Sequence, residues 1–141
     1  MENCIFCKIA KGEIDSAKVF ENEDIFAFLD VNPLTKGHCL VIPKKHFENI
    51  FDIDKNILKE IIATAKDISE KMQKSLAASG VNLANASGES AEQGVFHFHL
   101  HIIPRYENDG LEMNKWWQSK AKKTNIEELK KLAGFYARFT N

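Results

Sequence analysis

The stretch His97-Phe98-His99-Leu100-His101-Ile102-Ile103 alternates imidazoles with large apolar side chains. On a β-strand alternate residues share a face, so the three histidines point one way and Phe98, Leu100 and Ile102 the other. The pattern predicts an amphipathic strand whose polar face is built only of histidine. A solvated face is more cheaply made from Lys, Glu or Thr, so the composition asks for a chemical reason. Three readings stay open at this level: hydrogen-bonded core histidines, a metal site, or a nucleophile. Neighbouring same-face Cα atoms lie roughly 6.6 Å apart, so one zinc ion, with bonds of about 2.0–2.1 Å to nitrogen, takes a neighbouring pair but hardly all three. A neutral imidazole has an unperturbed pKa of about 6.5 and is mostly free base near neutrality. It can attack phosphorus and split one hard displacement into two easier ones.

Outward from this stretch the periodicity is mixed. Residues 95–103 and 81–85 read as strands joined by the polar loop 86–93. From 56 to about 79 the period becomes helical, with Leu58, Ile61, Ile62, Ala65, Ile68, Met72 and Leu76 at three- and four-residue steps. Asp52 and Asp54 are available as N-caps, and Gly80 sits where a left-handed C-terminal residue would end the helix. Further upstream, residues 38–42 form a strand stopped by Pro43, and Asn32-Pro33 through Gly37 punctuates the chain. The continuous apolar run Ile25-Phe26-Ala27-Phe28-Leu29 is expected of a strand covered on both faces. Residues 18–20 form a short strand and residues 5–10 one or two helical turns. After Tyr106 the chain is polar to Lys123, apart from Leu111, Met113, Trp116 and Trp117. A last helix begins at Thr124, where Glu127 completes a capping box and Leu129, Leu132, Tyr136 and Phe139 form the stripe. The sum is an α+β architecture, a mostly antiparallel sheet with one long helix packed on it.

The chain has 141 residues, the size of one ordinary domain, and 44% of them are hydrophobic and 28% charged, which excludes a mainly disordered or fibrous protein. With 19 Lys and Arg against 20 Asp and Glu, nothing in the overall charge points to duplex nucleic acid or an anionic membrane. No apolar run approaches the roughly 20 residues of a membrane span. The start, Met1-Glu2-Asn3-Cys4, lacks the features of a secretory signal, and three cysteines without one imply reduced thiols. A cytoplasmic location is expected.

The triad does not stand alone. Cys4-Ile5-Phe6-Cys7-Lys8-Ile9, then Ala27 through Pro33, then Gly37-His38 through Lys45-His46 precede it in order. Together with His-x-His-x-His-x-x, x being apolar, these motifs resemble the histidine-triad (HIT) nucleotide hydrolases and transferases, of the bacterial type. The resemblance runs from about residue 3 to Arg105. It implies a HIT domain over residues 1–105, with a five-stranded, mostly antiparallel sheet, one long helix and a short N-terminal helix. Residues 106–141 are then a C-terminal helical extension that packs on the domain or on a dimer partner.

Carried over position by position, the resemblance makes His99 the nucleophile that attacks the α-phosphorus of a purine nucleoside phosphoramidate or dinucleoside polyphosphate. A covalent nucleotidyl-histidine forms, and water releases the nucleoside monophosphate. The backbone carbonyl of His97 orients the His99 ring, His101 sits by the non-bridging phosphate oxygens, and His38 supports that network. Asp30 matches the carboxylate that accepts from both ribose hydroxyls, although an Asp before Asn32-Pro33 also reads as a turn residue. Ile5, Phe6, Ile9 and Phe28 match the apolar pocket around the base; by themselves they read as core. Gln93 matches the glutamine that contacts the leaving group. The loop departs from the family around it. Gly94 replaces the usual Ser or Thr, Glu92 a frequent Gly, and Ala86 the phosphate-binding Asn, for which Asn85 can stand in if the loop shifts by one. Slow turnover or an altered leaving-group preference is expected.

Cys4 and Cys7 have C-x2-C spacing, which suits an ion, a redox pair or two packed thiols. The resemblance completes a structural Cys2His2 zinc site with His46 and His97, whereas Cys39 has no family role and reads as a small buried apolar residue. It also implies a homodimer formed through the long helix and a sheet edge. Trp116 and Trp117 among lysines suggest either stacking on single-stranded nucleic acid or indoles that dock on protein. Two rival functions remain: a metal-dependent hydrolase using the histidine strand, and a nucleotide-binding or interaction protein with weak catalysis.

Overall fold

The computed structural model describes residues 3–137, which fall into two compact units, one ending at Asp109 and one beginning at Gly110. The first contains α1 (Ile5–Ala10), β1 (Lys18–Glu21), β2 (Ile25–Leu29), β3 (Cys39–Pro43), α2 (Lys55–Leu76), β4 (Gly80–Ala84), a 3-10 turn (Glu89–Ala91) and β5 (Leu100–Arg105). The five strands form one sheet in the order β1-β2-β3-β5-β4, every neighbouring pair antiparallel. The fold is therefore α+β, as the periodicity predicts.

Period-2 alternation divides the core into two layers. Ile25 and Ala27 of β2, Cys39 and Val41 of β3, and Leu100 and Ile102 of β5 pack with Phe98 against Ile61, Ala65, Ile68 and Met72 of α2. Phe26, Phe28, Leu40 and Ile42 face the other way, against Phe6 and Ile9 of α1. The unbroken apolar run of β2 is thus explained by apolar cover on both faces. Ile62 and Leu76 belong to the helical stripe but lie outside the core, 49% and 37% exposed.

Several element ends differ from expectation, each for a physical reason. Asp54 caps α2, accepting from the backbone N–H of Asn56 and Ile57, while Asp52 holds the preceding loop by accepting from Glu48 and Asn49 N–H. The left-handed residue that ends α2 is Ala77 (φ 58°), not Gly80. Gly80 is instead drafted into β4, opposite Arg105. Consequently β4 runs one residue earlier than predicted; β3 runs one residue later, taking in Pro43, which pairs with Ile25 instead of stopping the strand.

The strand expected over 95–103 begins only at Leu100. Continuing the β3–β5 register, in which Val41 faces Leu100, would set Pro43 opposite Phe98. Proline has no N–H to give at that position, and the last paired residues are Val41 and Leu100. The Phe98 N–H donates instead to the Phe47 carbonyl at 2.7 Å.

In the second unit α3 (Met113–Lys120) is a helix where the sequence reads only as polar tail, with an i,i+3 Glu112–Lys115 ion pair at 2.9 Å. Next, α4 (Ile126–Ala137) starts one residue later than the Thr124 capping box implies. Asn125 accepts from the Glu128 N–H at 2.9 Å and is the effective cap. Phe139 of the expected stripe lies outside the described residues. No described residue of α3 or α4 is buried. No helix among the described residues is long and apolar enough to cross a membrane.

Candidate active site and metal centre

The imidazoles separate into two groups, and in each the hydrogen bonds decide which ring nitrogen is free. His97 is fully buried, with Nε2–H donating to the Pro43 carbonyl at 2.8 Å, so a neutral ring keeps its Nδ1 lone pair. That Nδ1 lies 3.4 Å from Cys4 Sγ, 3.5 Å from Cys7 Sγ and 3.2 Å from His46 Nδ1. Cys7 Sγ is 3.4 Å from His46 Nδ1. The first turn of α1 brings the cysteines together: Cys4 is its N-cap, and its Sγ accepts from the Cys7 N–H.

A tetrahedral zinc ion with bonds of about 2.3 Å to sulfur and about 2.0 Å to nitrogen would hold its ligands about 3.5 Å apart for S–N and about 3.3 Å for N–N. The observed spacings match those edges, and all four donor atoms lie within 4.8 Å of one another. Burial raises the Cys7 thiol, with the hydrogen bond to Cys4 adding to it. A thiol raised in this way ionises readily only beside a cation, as a metal ligand set requires. The four residues fit a structural metal ion. Cys39, completely buried and pushed up to about 12 by that burial, is chemically inert.

The second group is linked ring to ring. The Leu34 N–H donates to His38 Nδ1 at 3.0 Å, so the proton of a neutral His38 is on Nε2. This Nε2–H reaches His101 Nδ1 at 2.8 Å, which leaves His101 with its own N–H on Nε2. His99 donates from Nδ1 to the His97 carbonyl at 2.8 Å, leaving Nε2 as a lone pair. Asn85 Nδ2 pins the carbonyl of His99 itself at 2.9 Å, and Phe6 packs edge-on against the His99 ring at 5.1 Å. Burial, reinforced by the neighbouring imidazoles, lowers His101 to about 4, and burial also lowers His38. Both are neutral near pH 7.

Asp30, His38 and His101 also have donor atoms close enough together to hold an ion. Their geometry favours a hydrogen-bonded chain instead. The His38–His101 contact at 2.8 Å is shorter than the N–N edge of a zinc tetrahedron, and one Asp30 oxygen is engaged by the Asn32 N–H at 2.8 Å. The other oxygen lies 3.8 Å from His38 Nε2.

His99, His101 and Asp30 open into one cavity of about 500 Å³. Its apolar walls include Ile5, Phe6, Ile9 and Phe28, so seven of the residues singled out in the sequence meet at one place. His38 stands behind His101, and His97 behind His99. Gln93 and Asn85 are not among its lining residues. Gln93 is buried and its amide is fully engaged: Nε2 donates to the Glu48 and Val95 carbonyls at 2.7 and 3.0 Å, and Oε1 accepts from the Gly88 N–H at 2.8 Å. Ser87 donates to Asn85 Oδ1 and accepts from the Ile50 N–H. These two amides shape the loop around the nucleophile.

Sequence reasoning missed Ile14, Asp15, Ser16 and Val95 in the cavity wall. Residues 14–16 lie between α1 and β1, where neither periodicity marks a face. Val95 precedes the strand and packs on the α1-side core.

Comparison with known proteins matches residues 11–108 to the HIT domain family. The protein hit of Bacillus subtilis is 42% identical over 138 residues, 97% of this chain and 94% of its own length. The adenosine 5′-monophosphoramidase of Saccharomyces cerevisiae is 38% identical over 92% of this chain and 77% of its own. Among solved structures, one from Streptococcus mutans superposes with a TM-score of 0.89 at 37% identity, over 98% of this chain and 85% of that one. A zinc-bound histidine triad family protein from Mycobacterium smegmatis superposes with a TM-score of 0.76 at 33% identity, over 90% and 87%.

Proposed function

The chain belongs to the HIT domain family, and on that premise we propose that it is a nucleotide hydrolase acting on purine nucleoside phosphoramidates or dinucleoside polyphosphates. The observation that carries this reading is the free Nε2 of His99, in a cavity that also holds the Asp30 carboxylate and the apolar side chains of Ile5, Phe6, Ile9 and Phe28. His99 Nε2 attacks the α-phosphorus, an N–P bond forms as the bond to the leaving group breaks, and water then cleaves the N–P bond. The His97 carbonyl, accepting from Nδ1–H, stabilises the ring as it acquires positive charge. His101 presents Nε2–H to the phosphate oxygens because His38 occupies its Nδ1. Asp30 accepts from the ribose hydroxyls with the oxygen not held by Asn32. The yeast relative's name, an adenosine 5′-monophosphoramidase, supports the phosphoramidate class.

Zinc is the ion proposed for Cys4, Cys7, His46 and His97, supported by their tetrahedral spacing and by the zinc-bound mycobacterial relative. With four protein ligands it would have no open position; its contribution is to hold α1 against His97, beside the nucleophile. We further propose a homodimer formed through α2 and β4. In support, β4 is a sheet edge, and Val81, Leu83 and Ile62 are exposed. Turnover is expected to be slow, because both donors of Gln93 are engaged by carbonyls and Gly94 has no hydroxyl.

The test is to quench the enzyme during turnover of adenosine phosphoramidate and map the adduct by peptide mass spectrometry. A nucleotidyl group on His99 is the expected result. Full turnover by a His99→Ala protein would overturn the reading.

A further inference from the structure

The wall of the candidate nucleotide cavity carries two polar side chains for which the catalytic reading has no use. Besides Asp30 with its neighbour Asn32, and the imidazoles of His99 and His101, the polar side chains lining it are Asp15 and Ser16. They lie away from the imidazoles: with Ile9 and Ile14 they form the rim shared with a second depression, lined by Lys11, Gly12 and Lys18, in which no histidine takes part. The nucleotide reading, with phosphate at His99, ribose at Asp30 and the ring plane between Phe6, Ile9 and Phe28, assigns the outer edge of the base to this rim.

Asp15 is poised to accept. Its Oδ1 is oriented by the Ser16 N–H at 3.0 Å, and it makes no ion pair among the described residues. Each carboxylate oxygen has two lone pairs, so both oxygens can still accept. A purine base that suits two adjacent acceptors offers two adjacent donors. Guanine does so with N1–H and the N2 amine. Hypoxanthine has the N1–H alone, and adenine sets its N1 lone pair against the carboxylate.

We propose that Asp15 reads the Watson–Crick edge of the base and makes this site select guanine nucleotides over adenine and hypoxanthine nucleotides, with the Ser16 hydroxyl beside it. The inference rests on the nucleotide reading of the cavity. Asp15 is solvent-exposed, so the discrimination is modest, about tenfold, as one charge-assisted hydrogen bond partly screened by water would give.

The experiment is calorimetric binding of GMP, IMP and AMP to the full chain and to its Asp15→Ala and Asp30→Asn variants. The wild type is expected to bind GMP about tenfold more tightly than IMP or AMP. Asp15→Ala should weaken GMP most and IMP less, leave AMP unweakened and bring the three within about twofold, while Asp30→Asn weakens all three in parallel. Equal binding of the three by the wild type, or a GMP preference that survives Asp15→Ala, overturns the proposal and leaves the nucleotide reading standing. If none of the three binds the wild type, the nucleotide reading fails and this inference with it.

Discussion

His97 and His99 are two residues apart on one segment and both are buried, yet their backbone partners give them opposite chemistry. His97 spends Nε2–H on the Pro43 carbonyl and turns Nδ1 toward two thiols and a second imidazole. His99 spends Nδ1–H on the His97 carbonyl and keeps Nε2 for the cavity. In the proposed function the first ring would ligate and the second attack. The lesson is that neutral imidazole is assigned its task by whichever nitrogen a carbonyl claims. The same carbonyl-bearing residue, His97, joins the two clusters, so in the proposed function a metal ion at one would hold the ring of the other in place without touching substrate.

That contrast can be broken from either side. The largest effect is expected from removing the attacking nitrogen: His99→Ala should lower turnover by about 10³-fold or more with zinc content unchanged, measured by initial rates and elemental analysis. Cys4→Ser should do the converse. Metal is lost and the thermal unfolding midpoint falls by on the order of 10 °C, while the protein that remains folded still forms the His99 adduct. Calorimetry with and without a chelator reads this directly, and an unchanged midpoint would separate the two centres energetically.

His101 sharpens the comparison through pH. Its folded pKa, about 4, lies below the 6.5 of the unfolded chain, because burial and neighbouring imidazoles disfavour the charged form. The unfolded state therefore binds the extra proton first, so stability is full above about pH 6.5 and is lost as pH falls toward 4. His38, also lowered, adds in the same direction. Urea unfolding between pH 7 and 4 should show this loss, and replacing His101 by Gln should flatten it. The smallest effect concerns the leaving group. Nothing lies within 4 Å of where a Cβ would sit on Gly94. Gly94→Ser should fold normally and raise turnover by a few-fold, read as kcat on adenosine phosphoramidate.

Legibility in the sequence followed the range of the interaction. The helical stripe that packs as Ile61, Ala65, Ile68 and Met72 and the two-sided run of β2 are local periodicities, and both took their predicted form. Asp54 as a cap was readable for the same reason. Helix ends were less so: Gly80 looked like the terminator, but pairing with Arg105 claimed it for β4 and left Ala77 to turn the chain. Gln93 was legible as a special residue, whereas its engagement with the Glu48 carbonyl depends on a loop 45 residues away in the chain. Asp15 and Ser16 carried no periodic signal, because a cavity wall made by a connecting loop has no repeat.

By itself the sequence predicted the alternation, and Phe98, Leu100 and Ile102 do share the α2-side core although the strand begins only at Leu100. Which nitrogen His97, His38 and His101 keep was decided only by the tertiary structure. The carbonyl of Pro43 and the amide of Leu34 that set the tautomers arrive from distant strands and turns, and a proton's position depends on those contacts rather than on chain order.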